Sequence, residues 1–111
     1  MQTDFQDLHF ERLFTRIMPL VVQENHRQVE KWGIQIHREC EWLAITAEEF
    51  GELSQAIVEW RFGLQTPEGA KAVVKEAIQT ATLCLKIAEM FDALNPESKN
   101  QGIVYGIQEQ K

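Results

Sequence analysis

The stretch EWLAITAEEFGELSQAIVEWRF, residues 41–62, carries the strongest secondary-structure signal in the chain. Its apolar residues recur at three- and four-residue spacing, which is typical of an amphipathic helix. These residues are Trp42, Leu43, Ala47, Phe50, Leu53, Ile57 and Trp60. Gly63 follows directly and is expected to end the helix. The pattern therefore predicts one long helix over residues 41–62.

A second long helix is predicted downstream. Thr66-Pro67-Glu68 is a typical helix start, with a capping hydroxyl, a proline at the first helical position and an acid in the first turn. The apolar stripe that follows runs to about Leu94, where Asn95-Pro96 is expected to end the helix. Its members are Val73, Ala77, Ala81, Cys84, Ile87, Ala88, Phe91 and Leu94.

Two shorter helices are predicted in the first third of the chain. Residues 4–18 form a candidate helix that Pro19 should end or kink, and residues 20–31 form the next, which stops at Gly33. Residues 33–40 are expected to connect it to the long helices. The sequence therefore predicts an all-α fold, an antiparallel helical bundle whose wide apolar sectors require oligomerisation to be covered.

Length and composition limit the possible functions. The chain has 111 residues, which suits a single helical domain over residues 1–96 followed by a C-terminal tail at 97–111. Its net charge of −6 argues against a general nucleic-acid binder. Neither a membrane span nor a signal peptide is predicted, and Cys40 and Cys84 lack metal-type spacing, so a cytoplasmic location is expected.

Acidic residues lie on the apolar faces of both long helices. Glu49 and Glu52 fall within or beside the apolar sector of the first, and Glu76 falls among the apolar residues of the second, with Gln79 at its margin. Antiparallel packing would bring these side chains together, and clustered carboxylates repel one another unless a cation lies among them. All-oxygen ligation suits Mg²⁺ or Mn²⁺. The alternative is that these glutamates are exposed and paired with Lys or Arg, as most charged residues are.

Two motifs resemble those of a known family. EEFGEL, residues 48–53, resembles the E-E-x-x-E motif of MazG-like all-alpha NTP pyrophosphohydrolases, and Glu76-Ala77-Ile78-Gln79 occupies the place of their second motif, E-x-x-D. The approach run KWGIQIHRECEWLAITAEEFGEL, residues 31–53, is also similar to one branch of the family, of the phage or mobile-element type. The resemblance covers about two-thirds of the chain, residues 23–91.

The resemblance implies a metal-dependent hydrolase. Glu49, Glu52 and Glu76 would ligate Mg²⁺, with Mn²⁺ as a possible substitute, and Gln79 would offer a neutral oxygen where the family has Asp. Glu48 would act as a further ligand or orient the attacking water, so Glu48, Glu49 and Glu52 are the expected catalytic residues. The implied reaction converts a (d)NTP and water to the (d)NMP and pyrophosphate.

The resemblance also implies substrate contacts and an assembly. Trp60 corresponds to a base-stacking tryptophan and His37 to a histidine near the nucleotide, while Trp32 and Gln35 belong to the approach run. The family's basic C-terminal segment is missing, and the nearest substitutes, Lys75 and Lys86, are expected to contact the phosphates. A homodimer or homotetramer is expected, with no nucleic acid or membrane as partner.

Two alternatives remain at the sequence level. One is a nucleotide-binding or interaction module of the same fold that has lost turnover through Gln79. The other is a helical oligomerisation protein whose glutamates pair across an interface.

Overall fold

A computed structural model describes residues 4–63 and 65–99 of the chain. Helices occupy most of this part, and it contains no strand, so the predicted all-α class is confirmed. The elements are α1 (Phe5–Arg12), a π-helical turn (Leu13–Ile17), α2 (Met18–Trp32), α3 (Glu39–Phe62), α4 (Pro67–Asp92) and the short α5 (Pro96–Lys99). Within the described ranges, no helix combines the length and the apolar character needed to cross a bilayer.

The helical path continues through Pro19, so of the two predicted outcomes, an end or a kink, the helix does not end there. Pro19 lies in the first turn of α2, where its missing N–H has little cost, and the wider π-helical turn at Leu13–Ile17 directly precedes that helix. The ring of a proline would clash with the carbonyl four residues earlier in a regular helix, and the π-turn relieves this crowding. At the other end of α2, Gly33 adopts a φ of 75° and donates to the carbonyl of Val29, as a helix stop does.

The two long helices form a hairpin. Thr66 caps α4 by accepting a hydrogen bond from the Gly69 N–H at 3.0 Å, as its sequence signal predicts. Gly63 follows α3 in a position where a Cβ atom would lie 2.5 Å from the carbonyl oxygen of Glu59, so the turn requires glycine. The short connection and the extensive contact between α3 and α4 make them antiparallel neighbours. α3 begins two residues earlier than predicted, at Glu39, and α4 ends two residues earlier than predicted, at Asp92.

The buried core of the single chain is small. Val21, Trp42 and Leu83 are the buried apolar side chains among the described residues, one each on α2, α3 and α4. α2 packs on α4, and Lys86 Nζ donates a hydrogen bond to Asn25 Oδ1 at 2.7 Å across that contact. The predicted tail from residue 97 begins inside α5, and residues 100–111 lie outside the described part.

The predicted apolar sector of α3 is divided between two faces. Trp42, Ile45 and Ala56 lie on the side that includes Glu49 and are buried or half-buried. Leu43, Phe50 and Ile57, at seven-residue spacing, remain 64%, 58% and 46% exposed. The α3–α4 contact therefore uses only part of the predicted sector, and the stripe of Leu43, Phe50 and Ile57 remains uncovered in the single chain.

Candidate metal centre and substrate cleft

Three carboxylates converge where α3 faces α4. One side-chain oxygen each from Glu49, Glu52 and Glu76 lies within 4.8 Å of the other two. The three-residue spacing of Glu49 and Glu52 directs both toward one side of α3, and the antiparallel hairpin places Glu76 opposite them. Glu49 and Glu76 are half-buried, whereas Glu52 is exposed at the edge. We call these three residues the carboxylate cluster.

Gln79 completes the cluster from α4. The hydrogen-bond network orients its amide so that the nitrogen donates to Glu49 Oε1 at 3.0 Å and to Glu76 Oε1 at 3.2 Å. In this orientation the amide satisfies two carboxylates. Rotating the amide by half a turn would direct its carbonyl oxygen to the same point, so Gln79 can serve the cluster as donor or as ligand.

The surroundings of Glu49 disfavour its charged form. Partial burial raises the pKa of Glu49 above its usual value, and the negative charges of Glu52, Glu76, Glu48 and Glu24 raise the pKa further. Glu48 itself is exposed and is absent from the cluster, although its charge reaches Glu49. A cation among the carboxylates would reverse this penalty, because it stabilises the ionised form of each.

The dimensions of the cluster suit a small divalent ion. Opposite oxygen ligands of Mg²⁺ lie about 4.2 Å apart, twice the usual Mg–O distance. The 4.8 Å span of the cluster is slightly wider, and small side-chain rotations would close it. Three carboxylates and one amide oxygen would leave coordination positions for water or phosphate, because Mg²⁺ takes six ligands. The donor set therefore fits Mg²⁺ or Mn²⁺.

The carboxylate cluster borders an open cleft of about 800 Å³ between α2, α3 and α4. Glu49 and Gln79 line this cleft. Arg27 and Lys31 from α2 and Lys75 from α4 line it as well. The cleft therefore brings a carboxylate of the cluster and three cationic side chains together.

Sequence reasoning did not identify the α2 residues of this cleft. Glu24 and Arg27 are spaced as an ordinary i, i+3 ion pair on a polar helix, and this spacing could have suggested the pair. Nothing in the sequence shows that Arg27 and Lys31 face the cleft, because their placement depends on how α2 packs on α4.

Trp32 and Gln35, two of the residues predicted to bind the substrate, line the cleft together with Glu49. Trp32 is 50% exposed. Lys75, a predicted phosphate contact, lines the same cleft. These three residues are therefore brought to the carboxylate cluster.

Two further predicted contacts, His37 and Lys86, line a neighbouring cavity of about 340 Å³ that shares Gln35 with the cleft. The His37 ring packs edge-on against Trp42 with a centroid distance of 4.7 Å. Its Nδ1 lies 3.6 Å from Glu41 Oε1, and its Nε2 is buried with no hydrogen-bond partner among the described residues. His37 therefore presents one unsatisfied polar atom beside the cleft.

Trp60 lies elsewhere in the isolated chain. It packs against Gly69 at the turn between α3 and α4, in a hollow lined by Glu59, Thr66 and Ala72. A Cβ atom on Gly69 would lie 3.2 Å from the Trp60 ring, so glycine permits this close contact. None of the three clustered carboxylates lines this hollow. The single chain therefore does not join Trp60 to the carboxylate cluster.

Comparison of the chain with known protein families, with curated proteins and with solved structures gives no match, so the resemblance to the MazG-like family rests on the motifs themselves.

Proposed function

We propose that this protein is a metal-dependent nucleoside-triphosphate pyrophosphohydrolase of the MazG-like kind, with the all-alpha NTP pyrophosphatase fold. The observation that carries the proposal is the convergence of Glu49, Glu52 and Glu76 at the edge of a cleft that also holds cationic and aromatic side chains. A nucleoside triphosphate needs these groups, since it combines a polyanion, which a metal and cations bind, with a flat base. The match of the motif residues to the cluster supports the same family.

The carboxylates would hold Mg²⁺, or Mn²⁺ in its place, and the ion would neutralise phosphate charge and activate water. Glu49 and Glu76 fix the cluster from two helices, and Glu52 completes it at the solvent edge. Gln79 would turn its carbonyl oxygen toward the ligands. Glu48, which is exposed and directly precedes Glu49 on α3, would orient the water and accept its proton.

The reaction requires no covalent enzyme intermediate. The oxygen of water forms a bond to the α-phosphorus, and the bond from that phosphorus to the bridging oxygen breaks. Pyrophosphate leaves with the bonding electrons, and the proton of water passes to the carboxylate base. The contribution of the protein is to position the groups and to stabilise the developing charge.

Trp32 and Gln35 line the cleft and would contact the nucleotide there. The unsatisfied His37 Nε2 in the neighbouring cavity would accept or donate a hydrogen bond to a sugar or base group. Trp60 would take part only if a second subunit brings its hollow to the cleft of the first. Lys75 lines the cleft and would contact the phosphates, whereas Lys86 is already hydrogen-bonded to Asn25.

A homodimer or homotetramer is part of the proposal. The exposed apolar stripe of α3, formed by Leu43, Phe50 and Ile57, has the seven-residue spacing of a helix that packs against another helix. Burying these side chains against a second copy would supply the core that the single chain lacks. The proposed location is cytoplasmic.

A catalytically weakened nucleotide-binding module is the second candidate. The hydrogen bonds from the Gln79 amide to Glu49 and Glu76 favour it, because they partly satisfy the cluster without a cation. A neutral ligand also binds a divalent ion less strongly than the carboxylate of the family's Asp. A helical oligomerisation protein would use the α3 stripe alone.

Pyrophosphate release from a panel of dNTPs and NTPs, with and without Mg²⁺, separates these candidates. The hydrolase releases pyrophosphate only with Mg²⁺, and Glu49→Gln abolishes release while the helical circular dichroism is retained. Thermal stabilisation by nucleotide and Mg²⁺ without any release would select the binding module. No release and no stabilisation would leave only the oligomerisation role. Release by Glu49→Gln at the parent's rate would contradict the site assignment.

A further inference from the structure

The guanidinium of Arg27 is fixed in place by Glu24. Arg27 Nε donates to Glu24 Oε1 at 2.9 Å, and Arg27 Nη2 donates to Glu24 Oε2 at 2.7 Å. Gln28 donates to the same Oε2 at 2.8 Å, so both oxygens of Glu24 are engaged. The hydrogen bond from Arg27 lowers the pKa of Glu24. Glu24 therefore acts as an anchor for Arg27.

The anchored guanidinium retains binding capacity. Arginine has five N–H donors, and the two bonds to Glu24 use Nε–H and one hydrogen of Nη2. The Arg27 side chain is 45% exposed, whereas that of Glu24 is 10% exposed. The remaining donors of Arg27 are thus accessible from the cleft, in the planar arrangement that suits phosphate oxygens.

A second cation is held beside Arg27 by an aromatic ring. Lys31 Nζ lies 4.7 Å and Arg27 Cζ 5.7 Å from the ring centroid of Trp32. Lys75 of α4 lines the same cleft, close enough to Glu24 for its charge to lower the pKa of that carboxyl further. Three cations therefore line the cleft together with two carboxylates, Glu24 and Glu49.

We propose that Arg27, aimed by Glu24 and supported by Lys31 and Lys75, binds the β- and γ-phosphates of the substrate and holds the leaving pyrophosphate. This inference rests on the proposed function and assigns its phosphate subsite to α2, in place of a basic C-terminal segment. The carboxylate cluster would hold the metal-bound part of the triphosphate, and Arg27, Lys31 and Lys75 would bind its distal end. Arg27 then favours triphosphates over monophosphates, because a monophosphate carries no β- or γ-phosphate.

The test measures binding by calorimetry on the full chain with Mg²⁺. The probes are the non-hydrolysable α,β-imido analogues of the four dNTPs, inorganic tripolyphosphate and the four dNMPs. Arg27→Gln is expected to weaken triphosphate and tripolyphosphate binding about 10- to 100-fold, since a hydrogen bond to a charged group contributes about 1.5–3 kcal/mol. Binding of dNMP is expected to change less than about threefold, because a monophosphate lacks the β- and γ-phosphates that Arg27 would bind.

Two variants separate phosphate binding from folding. Arg61→Gln is the matched control, because Arg61 is exposed and also lies over an aromatic ring, that of Phe62 at 5.6 Å, but is remote from the cleft. It is expected to bind as the parent does. Arg27→Gln leaves Glu24 without its ion-pair partner, so the double variant Glu24→Gln/Arg27→Gln removes both charges and is expected to show the same loss of triphosphate binding. Because the double variant removes one charge of each sign near Glu49, its Mn²⁺ affinity without nucleotide should stay close to that of the parent.

The outcomes distinguish this inference from the function on which it rests. If the parent binds the imido analogues and Arg27→Gln binds them equally well, the phosphate subsite is wrong and the proposed function is untouched. If the parent binds tripolyphosphate through Arg27 but no nucleotide, the subsite holds and the proposed function fails. A parent that binds none of the probes overturns both.

Discussion

Replacing Glu49 with glutamine should stabilise the metal-free protein while abolishing its response to metal. The oxygens of Glu49, Glu52 and Glu76 lie within 4.8 Å of one another. At that distance two like charges repel by about 0.9 kcal/mol in a water-like dielectric and by about 3.5 kcal/mol at an effective dielectric constant of 20. Glu49→Gln removes two of these repulsions and keeps an oxygen that can accept from Gln79.

Because the cluster is partly exposed, the water-like dielectric applies, and removing two repulsions should raise the free energy of unfolding by about 1–2 kcal/mol. This gain corresponds to a rise in Tm of about 4–8 °C for a domain of this size. The assay is thermal unfolding in EDTA and in Mn²⁺ at equal protein concentrations. At ten times the Kd, Mn²⁺ should stabilise the parent by about 1.4 kcal/mol and the variant hardly at all.

Glu59→Gln provides the matched control, because Glu59 is an exposed glutamate of the same helix outside the cluster. It should leave both the EDTA and the Mn²⁺ curves close to those of the parent. A Glu49→Gln protein that is less stable than the parent in EDTA, or that gains as much from Mn²⁺, would refute the reasoning. Those results would mean that Glu49 forms a favourable ion pair and is not part of a cation site.

Three further predictions follow from the same structure. Gln79→Glu should lower the Tm of the metal-free protein and tighten Mn²⁺ binding in a titration, because it adds a fourth carboxylate; unchanged affinity would place Gln79 outside the ligand set. Because the pKa of Glu49 is raised in the folded protein, the native state binds a proton at this carboxyl more tightly than the unfolded chain does. Without metal, the contribution of this carboxyl to the free energy of unfolding should be fully present below about pH 4.5 and be lost as the pH rises through its folded-state pKa. Urea titrations should show this loss in the parent and not in Glu49→Gln. Phe50→Asp on the exposed stripe of α3 should shift the assembly toward monomer in light scattering. The control Ile36→Asp, at an exposed position in the connection before α3, should not shift it. A parent that is already a monomer would contradict the proposed assembly.

The two long helices could be predicted from the sequence because their signals are local. The three- and four-residue spacing in α3 and the Thr66-Pro67 start of α4 depend only on neighbouring residues. The same spacing places Glu49 and Glu52 on one side of α3. Once the hairpin is antiparallel, Glu76 and Gln79 follow on the other helix, so the cluster could be expected before the structure.

Features that depend on how the helices pack could not be predicted. The wheel of α3 shows one wide apolar sector and does not show that α4 covers only the Trp42 side. The cleft-facing position of Arg27 depends on the packing of α2 against α4. Trp60 has the same spacing to the motif as a base-stacking residue, yet Gly69 gives it a local partner that the sequence alone does not reveal.

The most direct test of the cation site is anomalous diffraction from a crystal grown or soaked with Mn²⁺. We expect an anomalous peak from a Mn²⁺ ion ligated by oxygens of Glu49, Glu52 and Glu76, with the Gln79 carbonyl turned toward it. The cation site would be contradicted if these side chains are well ordered with no peak between them, each paired with a cationic group or directed into solvent.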